Sequence, residues 1–216
     1  MGPSLTRAAA GVSLYREPVA TRLPAVERRQ QLLDAALEVF AARGFYGTSM
    51  DELAETAGVT KPVFYKHFGS KRSLYLELLD DVGHRLIDEI TKVTAAADGP
   101  RQQVEVGFEA YFGFIAKNEH AFRLLFGGSP RRGGSVDHDL TEAGRRVEDA
   151  IAEAIAPLID APIDPDHRRL LAQGIVGLAE ATGRFWLAEG RDKVDPVTLG
   201  RRVSNLAWAG LRSVHA

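Results

Sequence analysis

The chain has 216 residues, 45% hydrophobic and 26% charged, with 27 Lys and Arg against 29 Asp and Glu and no cysteine. That length is enough to bury roughly 70% of the unfolded surface in a core, and no apolar run approaches the roughly 18 residues of a membrane span. Disulfides, thiolate metal sites and a cysteine nucleophile are excluded, and a net charge of -2 argues against coating nucleic acid through bulk positive charge. Residues 1–23 carry Arg7, Arg16 and Arg22 without the apolar block of a secretion signal, which predicts a flexible arm on a protein that stays in the cytoplasm.

From Pro24 onward apolar residues recur at helical spacing and strand alternation is absent, so the fold class predicted is all-α. Pro24 opens a first helix with an inner stripe of Leu33, Ala36, Leu37 and Phe40, and Gly44 ends it. Thr48, with Asp51 three residues on, is expected to cap a second helix whose stripe is Met50, Leu53, Ala54 and Ala57, stopped by Gly58. Thr60 caps a third helix, Gly69 ends it and Ser70 caps a fourth, placing three short capped helices over about 24–68. Longer helices follow over 71–96, 101–117, 119–126, 138–158, 165–189 and 195–213. The breaks are Asp98-Gly99-Pro100, the loop GGSPRRGG from Gly127 to Gly134, Ala161-Pro162 and Gly190.

Between Gly58 and Arg72 stand four cations, Lys61, Lys66, Lys71 and Arg72, and no carboxylate, whereas the chain beyond is acidic. On a wheel of about 100° per residue, Val63, Phe64, His67 and Phe68 fall on one side of the third helix. Lys61, Pro62, Tyr65 and Lys66 fall on the other. A helix, a turn at Gly58-Val59 and a second helix with such a face form a helix-turn-helix suited to the DNA major groove. There Lys61 meets base acceptors, Pro62 meets thymine methyls, and Tyr65, His67 and Lys71 meet phosphate. The N–H groups of Thr48, Ser49 and Ser70 lie at helix N-termini that favour phosphate. A capped hairpin of this kind also fits a helical small-molecule-binding or scaffold protein whose basic face meets a protein partner, and steep salt dependence separates the two. No GxSxG, HExxH, Walker or Rossmann motif is present and the six histidines lack metal-ligand spacing, so neither an enzyme nor a metal site is expected.

The stretch LLDAALEVFAARGFYGTSMDELAETAGVTKPVFYKHFGSKRSLYLELL resembles the N-terminal domain of the TetR family of bacterial regulators, with ALEVFAARGF, the TSM helix start, AGV and VFYKHF-x-SK in order. The resemblance implies a head over 24–70 and a ligand-binding and dimerisation domain over 71–216. It further implies a homodimer that reads a palindromic double-stranded operator, with an effector changing the separation of the heads. Thr48, Thr60, Tyr65, His67 and Lys71 match the family's phosphate-contacting positions, and Lys61 and Pro62 its base-facing ones. Many relatives carry Gly where Pro62 stands, which implies a different base preference here. The segments FRLLF, GLAEATGRFWL and NLAWAGL are similar to those of members that answer to long-chain fatty acyl-CoA and control lipid metabolism. That small hydrophobic effector is implied, with no other cofactor; an efflux or degradative regulator answering another bulky apolar compound is the alternative.

Two questions stay open at the level of sequence. Phe108, Tyr111, Phe112 and Ile115, followed by Phe122 and Phe126, can line a ligand cavity between helices or pack a core. Ile175, Leu178, Phe185 and Trp186, interleaved with Gly174, Gly177 and Ala181, together with Leu206 and Trp208, fit either a two-fold dimer interface or an intrachain core.

Overall fold

Most helix starts coincide with a side chain able to accept the orphan N–H three residues on. Ser49, Ser70, Asp137, Asp164 and Asp195 all do so, each contributing about 1 kcal/mol. A computed structural model describes residues 24–127, 131–132 and 135–214, with the backbone alone at 131, 132, 135 and 136. The arm expected over 1–23 lies outside the described residues. The helices are α1 (Ala25–Gly47), α2 (Met50–Thr56), α3 (Lys61–Phe68), α4 (Lys71–Thr94), α5 (Pro100–Lys117), α6 (Glu119–Phe126), α7 (His138–Ile155), α8 (Pro165–Phe185) and α9 (Pro196–Leu211). A 3-10 turn over Ala156–Leu158 prolongs α7, and a π turn over Trp186–Gly190 prolongs α8.

The all-α expectation holds, with corrections of detail. Ser49 rather than Thr48 caps α2, because Ser49 and Glu52 supply both halves of a reciprocal capping box, while the buried Thr48 hydroxyl donates to the Gly44 carbonyl at 2.8 Å. The first of the three short capped helices is neither short nor side-chain capped: α1 runs 23 residues from Pro24, its helical geometry broken at Gly44 (φ 67). Within the expected loop, Arg131–Arg132 pairs antiparallel with Ser135–Val136, a ladder too short to leave a period in the sequence.

One apolar core runs from α1 to α9. In the head, Leu32, Ala36, Phe40, Leu53, Phe64 and Phe68 close α1, α2 and α3 on one another, and Tyr75 of α4 meets Phe40 and Phe45 edge-on at 5.1 and 5.2 Å between ring centroids. Arg29 fastens the same junction. Its Nε donates to Glu77 of α4 at 2.6 Å, its Nη1 to the His67 carbonyl at 2.6 Å, and its guanidinium lies 4.5 Å from the Phe68 ring centroid. One carboxylate, a carbonyl and a ring face thus converge on one planar cation.

The helix α4 continues out of the head beside α7, and the two run in the same direction. At their N-terminal ends Arg72 pairs with Asp139 at 2.7 Å and with Asp137 at 3.5 Å, and Asp137 also accepts from Tyr46 Oη. Midway, Gly83 lies so close to α7 that a Cβ there would stand 2.5 Å from Val147 Cγ1. Near their C-terminal ends Ile90 and Ile151 face a shared cavity. Among the described residues no helix is long and apolar enough to cross a membrane.

Candidate nucleic-acid interface and effector cavity

The turn between α2 and α3 reverses the chain at Gly58 (φ 62), a backbone conformation that an L side chain rarely adopts. Val59 N donates back to Ala54 O at 3.0 Å to hold it. The backbone of Thr60 starts α3 without a cap bond from its hydroxyl, and Pro62 sits in the first turn, where a missing N–H leaves no intrahelical acceptor unmet. Phe64 and Phe68 are buried, while Pro62, Tyr65 and Lys66 are exposed and Lys61, Val63 and His67 half-buried. The amphipathic face drawn from the sequence is therefore present.

The cations do not form a single basic face. Lys61 Nζ is paired with Asp51 Oδ2 at 3.0 Å. Lys71 Nζ turns inward, donating to the Phe45 and Thr48 carbonyls at 2.8 Å each and lying 4.5 Å from the Phe45 ring centroid; burial lowers its pKa. Arg72 faces α7. Lys66 alone of the four has no charged or carbonyl partner among the described residues. Two of the N–H groups expected at phosphate are engaged as well: Ser49 N donates to Glu52 Oε2 at 2.9 Å, and Ser70 N to the Phe68 carbonyl at 2.8 Å. The surface offered outward by α3 and the start of α2 is thus Thr60, Pro62, Tyr65, Lys66 and the Asp51–Lys61 pair, with His67 at its edge, while Glu55 and Thr56 are exposed farther along α2. The sequence placed Asp51 at the start of the second helix but not its pairing with Lys61, which stands ten residues later, a separation that no helical period connects.

The second site is a cavity of about 80 Å³ between α4, α5, α7 and α8. Phe108, Tyr111 and Phe126 line it, as expected, together with Ile90, Val104, Ile151, Ile155 and Val176. Phe112, Ile115 and Phe122 do not line it; they are buried core residues. Ile175, expected at a dimer face, lines it too. Only Thr94, Gln103 and Tyr111 bring polar side chains to the lining, and the Thr94 hydroxyl donates to its own helix at Ile90 O, 2.9 Å away. The Tyr111 hydroxyl is buried with no hydrogen-bond partner among the described residues, and burial pushes its pKa upward, so it stays neutral.

Of the remaining residues expected at a subunit interface, Trp186 belongs to the core of its own chain: it is 3% exposed and its Nε1 donates to Val194 O at 2.7 Å. Leu178 and Trp208 are half-buried. Phe185 and Leu206, each 64% exposed, and Leu170 at 69% stand out as large apolar side chains in water on α8 and α9. With Gly174, Gly177 and Ala181 also exposed, they form an uncovered stripe of small and large apolar residues on these two helices.

Comparison with known proteins agrees with this geometry. Residues 32–78 match the model of bacterial regulatory proteins of the tetR family, and residues 100–210 that of the tetracyclin repressor-like C-terminal domain. The chain is 34% identical over 193 residues to the HTH-type transcriptional activator FasR of Mycolicibacterium smegmatis, covering 89% of this chain and 87% of that protein. Among solved structures, a TetR-like transcriptional regulator from Rhodococcus sp. RHA1 superposes with a TM-score of 0.70 at 28% identity, over 88% of this chain and 99% of that one. The FadR regulator of Bacillus subtilis, solved in complex with stearoyl-CoA, shares the fold at a TM-score of 0.69 and 19% identity, over 84% and 98%. These matches displace the protein-partner reading of the basic hairpin. Both halves of the chain, the head with its outward α3 and the helical body with its apolar cavity, place it in the tetR family of bacterial regulatory proteins, as a DNA-binding transcriptional regulator.

Proposed function

We propose that the protein binds a palindromic operator as a homodimer and that a long-chain fatty acyl-CoA, entering the apolar cavity, changes its hold on DNA to control lipid metabolism. The observation that carries the effector reading is the cavity itself. Its wall is almost wholly hydrocarbon, and it borders the C-terminal part of the same α4 whose N-terminal part packs on the head. At about 80 Å³ it is well below the roughly 300–1,000 Å³ of a pocket that holds a drug-sized ligand. An acyl chain therefore has to spread the helices that line it, which makes occupancy a mechanical event. The stearoyl-CoA complex of the Bacillus subtilis regulator supports the choice of ligand class; that likeness is one of fold, and the case here rests on the lining. The exposed stripe of Leu170, Phe185 and Leu206 supports pairing through α8 and α9.

The test is a gel-shift titration of the purified chain on its own upstream DNA at two salt concentrations, with and without long-chain acyl-CoA. Specific binding that weakens steeply with salt and changes on adding acyl-CoA is expected. Binding indifferent to acyl-CoA removes the lipid effector and leaves the operator reading standing.

A further inference from the structure

The exposed face of the helix-turn-helix carries a carboxylate where a DNA-binding surface has most reason to avoid one. Asp51, in the first turn of α2, has a side chain 75% exposed, and its Oδ2 holds Lys61 Nζ, at the first position of α3, at 3.0 Å. A backbone phosphate would compete for that lysine and be repelled by the carboxylate. A base pair with a donor beside an acceptor would engage both groups without separating them. We propose that Asp51 and Lys61 act as one unit that reads a single G·C base pair in each half-site, Lys61 on the guanine and Asp51 on the cytosine. This rests on the operator-binding reading above.

The chemistry of the groove selects that pair. Guanine presents two acceptors, N7 and O6, to a lysine, which has donors only, and cytosine N4 presents the donor a carboxylate requires. Guanine O6 and cytosine N4 are neighbours across the pair, as Nζ and Oδ2 are neighbours in the protein. An A·T pair also offers a donor next to an acceptor, adenine N6 beside thymine O4. There the carboxylate would sit between two acceptors, adenine N7 and thymine O4, and the lysine would face one acceptor in place of two. The reversed C·G pair sets carboxylate against acceptors and ammonium against a donor. The hydrogen bond from Lys61 to Asp51 raises the pKa of the lysine, which favours its charged form with three donors. Asp51 is thereby assigned a role in specificity that its sign of charge would otherwise argue against.

Selection of the full-length chain against random double-stranded DNA tests this, with wild type, Asp51→Ala and Lys61→Met carried in parallel and folding checked by circular dichroism. Wild type is expected to enrich a site with one G·C pair per half-site whose replacement weakens binding about tenfold or more. Both variants are expected to lose preference at that same pair and keep it elsewhere, and Asp51→Asn, which retains an acceptor oxygen, to recover part of it. An Asp51→Ala chain that binds every sequence more tightly with unchanged base preferences overturns the proposal, as does relaxation at different pairs by the two variants. A folded wild type that enriches no sequence overturns the operator reading itself and this proposal with it, so the two failures are distinct.

Discussion

Lys66 is the cation of α3 that is exposed without a charged or carbonyl partner among the described residues, and its lone charge suits a phosphate. Lys66→Ala is expected to weaken binding to specific and random DNA alike and to lower the slope of log affinity against log salt by about one; a loss confined to the specific site would reassign it to a base edge. Tyr75, 6% exposed beneath Phe40 and Phe45, has its phenol pushed up to about 12 by burial. An unfolded tyrosine ionises near pH 10, so the stability linked to this group is complete below that pH and is lost as the pH rises toward 12. Urea titrations from pH 9 to 12 should show a shallower alkaline fall for Tyr75→Phe than for wild type. Which residues of α3 face outward was legible in the sequence, because burial on a short amphipathic helix follows its period. The partner of each cation was not legible. The carbonyl that holds Lys71 belongs to Phe45, 26 residues earlier, and only tertiary packing makes them neighbours.

Helix starts at 71, 138 and 165 were legible, and there Ser70, Asp137 and Asp164 accept from backbone three residues on, although the cap of α2, expected at Thr48, is Ser49. Helix crossings were not, because closeness depends on what a second, distant helix presents. Gly83 carries no mark in the sequence that separates it from any other glycine, yet Val147 fills the space its side chain would need. Gly83→Ala is expected to lower stability by about 1–3 kcal/mol through overpacking, and Val147→Ala in the same chain to return part of that loss. Urea denaturation of the single and double variants measures it, and additive effects would show that the two positions do not touch. Gly200 makes a similar close approach, its absent Cβ 2.9 Å from Glu109 Cα. Here the neighbour is backbone, so Gly200→Ala has no such partner to relieve it.

For the whole molecule, the helix order from Pro24 to Leu211 was legible to within a few residues at each end, while the division of its apolar residues among core, cavity and outer face had to await the packing. Phe112 and Phe108 lie four residues apart on one helix, and only the second lines the cavity. The outer stripe leads to a prediction at this scale: Phe185→Glu with Leu206→Glu should convert a dimer to a monomer in sedimentation velocity, with helical content kept and operator affinity reduced through loss of the second head. A monomeric wild type would instead remove α8 and α9 as the pairing surface. The contact between Gly83 and Val147 also has a mechanical meaning. It lies near the middle of α4, with roughly 16 Å of helix from it to Arg72 on one side and to Thr94 on the other. Since the two helices already touch there, an effector that prised them apart beside Ile90 and Ile155, as proposed above, would turn α4 about that point like a balance beam with equal arms. A movement at the cavity would then reappear near the head at about the same size and in the opposite sense, neither amplified nor lost.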